Sequence, residues 1–230
     1  MKAGGRTMSQ DVLARMQKAG IIPIVVIDDP GKSAQLGRTI LDAGLDLIEI
    51  TLRTERAMEA IRVLSKEFRE LLVGAGTVFS VPIAKEALSA GARFIVSPHL
   101  DEAIVTYCAR KDIVCIPGVF TPSEIQRAIK AAEKGAPGKS INALPLVIKI
   151  FPASTGGPGH ITAMKAVFPD VRFLPLGGVN AGNIAEYMKA GSWAVGGTWI
   201  CKRDLIEAGN FAKISELAKE AVSVIAATRK

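Results

Sequence analysis

Residues 43–54 read Ala-Gly-Leu-Asp-Leu-Ile-Glu-Ile-Thr-Leu-Arg-Thr, and this stretch contains the patterns that decide the fold. Ala43-Gly44 is predicted to end a helix, because glycine after the last helical residue accepts the left-handed conformation that closes it. The next segment, Leu47–Thr51, is mostly apolar and contains one carboxylate. A short apolar run without polar alternation is typical of a parallel strand that is buried on both faces.

The Ala-Gly pair recurs at residues 19–20, 90–91 and 190–191, each time before another short apolar run. Successive glycines of the four pairs are separated by 24, 47 and 100 residues. These intervals are close to one, two and four copies of a unit of about 24 residues, the size of a strand plus a helix. The recurrence therefore predicts a chain built from repeated βα units.

Eight strands follow from this pattern, with helices between them. They are Ile21–Ile27, Leu47–Thr51, Leu71–Gly74, Phe94–Ser97, Val114–Pro117, Leu146–Ile150, Arg172–Leu176 and Trp193–Gly196. An extra helix is predicted near Ser9–Lys18. Eight parallel βα units, at a length near the typical ~250 residues, indicate an α/β fold of the closed (β/α)8 TIM barrel type with an extra N-terminal helix. Residues 1–230 are predicted to form one domain, with Lys134–Leu144 as an exposed insertion.

The composition excludes several classes of protein. The 230 residues are 49% hydrophobic and 22% charged, a globular balance that excludes disorder. The formal charge of +7 is scattered and aromatic residues are only 5%, which argues against nucleic-acid binding. No apolar run reaches the ~20 residues of a membrane span, and we expect neither membrane association nor a secretory signal. Three cysteines without CxxC spacing favour reduced thiols and a cytoplasmic location.

A lysine stands inside the sixth predicted strand, in the sequence Leu-Val-Ile-Lys149-Ile-Phe151. Alternation places Lys149 on the same face as Val147 and Phe151. Burial lowers the pKa of an ammonium group, and the neutral amine is the form that attacks a carbonyl to give a Schiff base. The alternative is an edge lysine whose amine reaches solvent. The apolar neighbours on both sides favour a functional lysine.

A carboxylate interrupts the second predicted strand in the same way. Glu49 lies within an apolar run, and Arg53 shares its face at or past the carboxyl end of the strand. Glu49 could move protons beside a lysine imine during the cleavage of a carbon–carbon bond. It could equally form a structural ion pair with Arg53 or Lys149, and the strands alone leave both interpretations open.

Glycine pairs follow the last two predicted strands. Gly177-Gly178 comes after strand seven, and Gly196-Gly197 comes after strand eight and before Thr198. Loops at these two places in a barrel commonly bind phosphate through backbone N–H groups. Residues 74–77, Gly-Ala-Gly-Thr, are predicted as a further glycine-rich turn at the same rim.

Neither a metal nor another cofactor is indicated. The sequence contains no HExxH motif and no cluster of Cys and His or of carboxylates. His99 is predicted at the rim of the fourth strand, where a supporting or solvent-facing role is the simplest interpretation.

Seven motifs occur in order along the chain. They are Glu49-Ile-Thr-Leu-Arg53-Thr, Val73-Gly-Ala-Gly-Thr77-Val, Phe94-Ile-Val-Ser-Pro98, Ile116-Pro-Gly-Val-Phe-Thr-Pro-Ser-Glu124, Lys149-Ile-Phe-Pro-Ala153, Pro175-Leu-Gly-Gly178 and Gly196-Gly-Thr-Trp199. Together they resemble the KDPG/KHG aldolase family, the 2-keto-3-deoxy-6-phosphogluconate and 4-hydroxy-2-oxoglutarate aldolases. The resemblance covers nearly the whole chain, and the set is more specific than any one motif.

The resemblance implies a lyase, a Schiff-base aldolase on a (β/α)8 barrel that needs no metal and is usually a homotrimer. Lys149 would form the imine with C2 of a 2-keto acid. Glu49 would be the general acid and base, directly or through a water. The expected substrate is 2-keto-3-deoxy-6-phosphogluconate, which yields pyruvate and glyceraldehyde 3-phosphate.

The resemblance also implies the residues that bind the substrate. Arg53 would hold the pyruvate carboxylate, since a planar guanidinium matches a carboxylate. The remaining positions are Thr77 and Pro98 at the pyruvate end, Phe151 beside the imine, and Leu176, Gly177, Gly178, Gly197 and Thr198 toward the phosphate.

Three features depart from the family pattern and concern the aldehyde half of the substrate. Leu176 stands where the family usually has threonine, so a hydroxyl is missing. His99 stands where a smaller residue is common, and the insertion Lys134–Leu144 is unusual. The alternatives are the same chemistry on 4-hydroxy-2-oxoglutarate or another 2-keto-3-deoxy sugar acid, and a non-catalytic barrel that binds sugar phosphates.

Overall fold

Strands and helices alternate along the chain in the computed structural model, which describes residues 6–229. The strands are β1 (Ile21–Val25), β2 (Leu47–Thr51), β3 (Leu72–Gly76), β4 (Phe94–Val96), β5 (Val114–Ile116), β6 (Gly118–Val119), β7 (Ile148–Ile150), β8 (Phe173–Pro175) and β9 (Val195–Gly197). Each predicted strand is present; the second has the predicted bounds, and the other seven differ at one end or both. The third strand, for example, extends to Gly76 and includes part of the predicted glycine-rich turn.

Helices follow most of the strands. They are α1 (Met8–Ala19), α2 (Ser33–Asp42), α3 (Ala57–Glu67), α4 (Val81–Ser89), α5 (Glu102–Arg110), α6 (Pro122–Gly135), α7 (Ala153–Val167), α8 (Ile184–Lys189), α9 (Arg203–Glu207) and α10 (Phe211–Thr228). Short 3₁₀ helices span Pro30–Lys32 and Ile141–Ala143. No helix in the described part of the chain is long and apolar enough to cross a membrane.

The glycines of the four Ala-Gly pairs adopt the predicted conformation. Their φ angles are 69° at Gly20, 88° at Gly44, 111° at Gly91 and 97° at Gly191. These values lie in the left-handed region, in which glycine has no steric cost. The pattern from which the βα repeat was predicted is thus confirmed at each of its four occurrences.

The strands form a curled parallel sheet. One sheet has the order β5-β4-β3-β2-β1-β9, and a second has the order β6-β7-β8. Hydrogen bonds join the two at both edges, since the N–H of Val147 donates to the carbonyl of Cys115 at 3.1 Å and the N–H of Trp193 donates to that of Phe173 at 2.9 Å. The predicted α/β class with parallel strands is confirmed.

The fifth predicted strand, Val114–Pro117, is observed as β5 up to Ile116, and a further short strand, β6, begins directly after Pro117. Proline has no N–H to donate to a ladder. β5 pairs with β4, whereas Gly118 of β6 pairs with Lys149 of β7. The carbonyl of Pro117 accepts the N–H of Lys149 at 3.0 Å. The chain therefore passes from one sheet to the other at this proline, beside the strand that carries the lysine.

Side chains alternate along the strands between two apolar clusters. In β2, Leu47 belongs to the inner cluster, while Ile48 and Ile50 belong to the outer cluster under the helices. β7 shows the same alternation. Glu49 and Lys149 therefore project inward, as alternation predicts.

Helix α1 lies across the amino-terminal ends of the strands. Its Met16 is fully buried in the inner cluster. The N–H and Oγ of Ser9 donate to the carboxylate of Asp112, just before β5, at 3.2 and 2.8 Å. Nε of Arg15 donates at 2.8 Å to Asp46, which immediately precedes β2. Helix α1 thus covers the amino-terminal ends of these strands.

The segment Lys134–Leu144 is exposed only in part. Lys134 and Gly135 still belong to α6, and residues 137–140 are exposed. Leu144 is buried, and its carbonyl accepts a hydrogen bond from Arg172 at 3.3 Å. This contact fastens the end of the segment to the residue that immediately precedes β8.

Candidate active site

A cavity of about 350 Å³ opens at the carboxyl ends of the strands. Its walls come from β1 to β4 and from β7, β8 and the loop after β9. They consist of Ile24, Glu49, Thr51, Arg53, Thr77, Phe79, Pro98, Lys149, Phe151, Leu176, Gly177 and Thr198. All of the predicted site residues except Gly178 and Gly197 are among them. The structure thus brings together residues that lie up to 174 positions apart, from Ile24 to Thr198.

Gly178 and Gly197 lie just outside the cavity wall. A Cβ placed on Gly178 would lie 2.6 Å from Cβ of Ser154, so this glycine packs against the first turn of α7. A Cβ on Gly197 would lie 2.9 Å from a methyl carbon of Ile200. Both glycines therefore make close packing contacts that leave no space for a side chain.

Lys149 is buried in the wall formed by β7, with only 5% of its surface exposed. Its Nζ lies 4.6 Å from the centre of the Phe151 ring, a distance at which an ammonium group is attracted to the ring face. Burial lowers the pKa of the amine, and the nearby Glu49 carboxylate opposes part of this effect. The neutral form that can act as a nucleophile is therefore more accessible than in an exposed lysine.

Glu49 is also buried, with 3% of its surface exposed. Burial raises the pKa of this carboxyl group to about 7, while the charge of Lys149 acts in the opposite direction. A group with a pKa near neutrality can both accept and donate a proton under physiological conditions. The ion pairs present among the described residues do not include Glu49, so the structural pair with Arg53 or Lys149 is not formed.

Thr77 adopts a conformation that threonine rarely takes. Its φ of 61° lies in the left-handed region, where a β-branched side chain is strained. Such strain costs on the order of 1–3 kcal/mol and is concentrated at functional sites. Thr77 directly follows β3 and lines the cavity, as does Pro98 after β4. The strained position therefore coincides with the predicted pyruvate end of the site.

The wall from β1 and β8 is apolar. Ile24 and Leu176 are 7% and 6% exposed, and Leu176 packs over Gly196. Gly177 and Gly178 follow with φ angles of 91° and 85°. Among the described residues, neither N–H of this glycine pair donates to another backbone carbonyl, so both remain able to bind an anion. The glycine pair therefore follows an aliphatic part of the cavity wall, and Gly177 itself lies against the Phe151 ring.

Ile24, Thr51 and Phe79 also line the cavity but were not predicted. Thr51 follows Glu49 by two residues in the same strand, so alternation could have identified it. Its Oγ1 donates to the carbonyl of Val25 at 2.8 Å. Phe79 lies in a loop, where no periodicity applies, and it is 55% exposed. Its ring stacks on the exposed His99 at 5.4 Å, which gives His99 a supporting contact at the rim.

Comparison with known proteins places these observations in one family. The sequence model of KDPG and KHG aldolase matches residues 12–217. A 2-dehydro-3-deoxy-phosphogluconate aldolase of Pseudomonas aeruginosa is 33% identical, over 98% of this chain and 97% of that protein. A KHG/KDPG aldolase of Escherichia coli (strain K12) is 34% identical, over 88% of this chain and 90% of that protein.

A solved structure shows the same fold. The KDPG aldolase of Legionella pneumophila, crystallised with pyruvate captured at low pH as a covalent carbinolamine intermediate, superposes with a TM-score of 0.82. It is 30% identical, and the match covers 94% of this chain and 98% of that chain. The likeness therefore extends over nearly the whole chain.

Proposed function

The chain belongs to the KDPG and KHG aldolase family, and from this premise we propose that it cleaves 2-keto-3-deoxy-6-phosphogluconate to pyruvate and glyceraldehyde 3-phosphate through a Schiff base on Lys149. One observation carries the proposal: the amine of Lys149 is buried in the same cavity as the carboxyl group of Glu49. A site that only binds sugar phosphates has no need of two buried ionisable groups at this energetic cost.

The proposed chemistry begins with the neutral amine. Nζ of Lys149 attacks C2 of the keto acid, and loss of water from the carbinolamine gives the imine. The C3–C4 bond then breaks, its electrons pass into the imine to form an enamine, and the C4 hydroxyl loses its proton as the aldehyde forms. Glu49, directly or through a water, accepts that proton and returns it to C3 of the enamine. Hydrolysis of the resulting imine releases pyruvate and the free lysine.

The rest of the cavity would hold the two ends of the substrate. Arg53 is exposed at the rim and would bind the carboxylate of the pyruvate half, with Thr77 and Pro98 beside it. Phe151 would limit the space next to the imine. At the other side Gly177, Gly178, Gly197 and Thr198 would hold the phosphate, Gly177 and Gly178 through their N–H groups. This chemistry uses no metal ion and no other cofactor.

A second substrate follows from the apolar wall. Leu176 offers no hydrogen bond to a hydroxyl of the aldehyde half, which favours a short electrophile such as the one released from 4-hydroxy-2-oxoglutarate. The Escherichia coli relative carries the names of both activities. Another 2-keto-3-deoxy sugar acid is a further alternative substrate, and it would form the same Schiff base on Lys149.

We also propose that the two sheets act as one closed (β/α)8 TIM barrel with α1 as an extra helix, in a single domain over residues 1–230. The hydrogen bonds at both edges of the sheets support closure. A cytoplasmic location is supported by free, buried thiols at Cys108, Cys115 and Cys201. The proposal of a homotrimer rests on the family resemblance. The mass of the protein in solution, measured by analytical ultracentrifugation, tests it.

A panel of substrates tests the activity. Pyruvate release is measured on the phosphorylated six-carbon acid, its unphosphorylated counterpart and 4-hydroxy-2-oxoglutarate. The proposal expects the highest kcat/KM on the phosphorylated acid. A higher kcat/KM on 4-hydroxy-2-oxoglutarate would change the proposed substrate but not the Schiff-base mechanism. If none of the three acids released pyruvate, the protein would be a sugar-phosphate-binding barrel without aldolase activity.

A further inference from the structure

The glycines of β3 face the interior rather than forming a turn. Gly74 and Gly76 alternate with Ala75, which belongs to the outer cluster, so both glycines lie on the inner side of the strand. A Cβ on Gly74 would overlap the Phe94 ring. A Cβ on Gly76 would overlap Oε1 of Glu49 and would lie 2.7 and 2.9 Å from its Cδ and Cγ. The Glu49 side chain thus rests on the bare backbone of Gly76.

The backbone at Gly76 does not itself require glycine. Gly76 is not among the residues with positive φ, unlike Gly177 and Gly178. Any L-residue could adopt its extended conformation. Glycine is therefore required here by the lack of space for a side chain and not by the backbone conformation. All three atoms nearest to the vacant Cβ position belong to Glu49.

The strand cannot move away to accommodate a side chain at this position. Gly76 pairs with Thr51 of β2, and its carbonyl accepts the N–H of Leu52 at 2.8 Å. Glu49 lies two residues before Thr51 on the same strand, so both members of the contact are fixed by one ladder. A methyl group at position 76 would have to displace the carboxylate rather than the backbone.

We infer that Gly76 is a positioning residue, which acts by leaving the space that fixes the Glu49 carboxylate at the reacting carbon atoms. The inference rests on the proposed function, because it assigns Glu49 to proton transfer. A catalytic group that is displaced by about 1 Å can lose about 100-fold in rate. Imine formation by Lys149 does not need the carboxylate in that position.

The test compares Gly76→Ala with wild type in two assays on pyruvate alone. Borohydride trapping followed by mass spectrometry reports the imine, and exchange of the methyl protons in D₂O, followed by NMR, reports proton transfer at C3. We expect trapping on Lys149 to persist, the kcat of exchange to fall about 100-fold, and KM for pyruvate to stay within about twofold. Gly159→Ala is the matched control, since this exposed α7 glycine has open space around it and no positive φ.

A double-mutant cycle shows whether the effect passes through Glu49. In a Glu49→Ala background, Gly76→Ala should change the residual exchange by less than about twofold. The same 100-fold loss in that background, or exchange at the wild-type rate in Gly76→Ala, would overturn the assignment. A wild type that neither traps pyruvate nor exchanges its protons would instead overturn the proposed function.

Removal of the acid controls for folding. Glu49→Ala removes all three atoms that a Cβ at position 76 would meet, so Gly76→Ala combined with Glu49→Ala should melt close to Glu49→Ala alone. If the double variant loses as much stability as Gly76→Ala does by itself, the methyl group meets something other than Glu49 and the inference fails.

Discussion

The two ends of the space inside the sheet are built from the same strands but differ in content. At the amino-terminal end, Leu47, Phe94 and Val147 pack against Met16 of α1 in an apolar cluster. One inward position further along β2 and β7, the side chains are Glu49 and Lys149, and a cavity replaces the packing. Apolar packing thus fills one end and buried ionisable groups line a cavity at the other, although only two residues of strand separate them.

Lys149→Met is the most severe test of this contrast. It replaces the buried amine at the cavity with an apolar side chain, like those that fill the amino-terminal end. Loss of the nucleophile should reduce turnover by at least about 10⁴-fold. Stability should be retained or increased, since an apolar chain of similar length replaces a buried amine. Pyruvate release and urea unfolding measure the two effects. Measurable turnover, or a borohydride adduct on another lysine of the wild type, would contradict the assignment.

Glu49→Gln keeps the size of the side chain but removes its titration. Turnover should fall by roughly 10²–10⁴-fold, while borohydride still traps pyruvate on Lys149. The folded protein holds the Glu49 proton up to a pKa of about 7, above the ordinary 4.5. The free energy of unfolding of the wild type should therefore fall as the pH rises from about 4.5 to about 7. The variant should lack this contribution to the fall. Wild-type turnover in Glu49→Gln would reduce Glu49 to a structural role.

Two phenylalanines compare the ends directly in terms of stability. Phe94 is fully buried against Gly74, whereas Phe151 is 37% exposed at the cavity. Phe94→Ala should lower the free energy of unfolding by about 3–5 kcal/mol, because it leaves a void in a packed cluster. Phe151→Ala should cost clearly less, since part of its ring already contacts solvent. Equal losses in chemical denaturation would show that the two ends are packed alike.

Leu176→Thr is the mildest change. It tests a single side chain of the cavity wall at the carboxyl ends of the strands. Leu176 offers no hydrogen bond to a substrate hydroxyl, and a lost hydrogen bond or an unpaired buried hydroxyl costs about 0.5–3 kcal/mol. The variant should raise kcat/KM for the phosphorylated six-carbon acid by about three- to a hundredfold. A substrate without that hydroxyl should gain little. If the ratio between the two substrates does not move, Leu176 serves only to pack against Gly196.

The sequence predicted most of what depends on local periodicity. Alternation within the strands was enough to place Lys149 on one face with Phe151 and Glu49 on one face with Arg53, and the Ala-Gly pairs were enough to space the βα units. What it did not predict depends on contacts between distant segments. The division of a strand at Pro117 depends on the partner that each half finds, and the place of α1 depends on Asp112.

Gly76 shows the same limit at the candidate site. Its sequence context, Gly-Ala-Gly-Thr, suggested a turn, and only the position of the neighbouring Glu49 side chain explains the missing Cβ. Phe79 was missed for a related reason, since an exposed loop residue has no pattern that marks its direction. Ionisable residues in apolar strands could be identified from the sequence by their side-chain type. Residues whose importance depends on a contact with a distant side chain could not.

The position of α1 across the amino-terminal ends of the strands has a consequence for the kinetics. Among the described residues, α1 covers that end, so substrate and both products would share the cavity mouth at the carboxyl ends. In the proposed mechanism, pyruvate would remain tethered to Lys149 as the enamine after the carbon–carbon bond breaks, while the free aldehyde would lie toward the mouth beside Gly177 and Thr198. The aldehyde must then depart first and pyruvate second. In the direction of synthesis pyruvate must enter first, so product inhibition should follow an ordered uni-bi pattern with pyruvate as the competitive product.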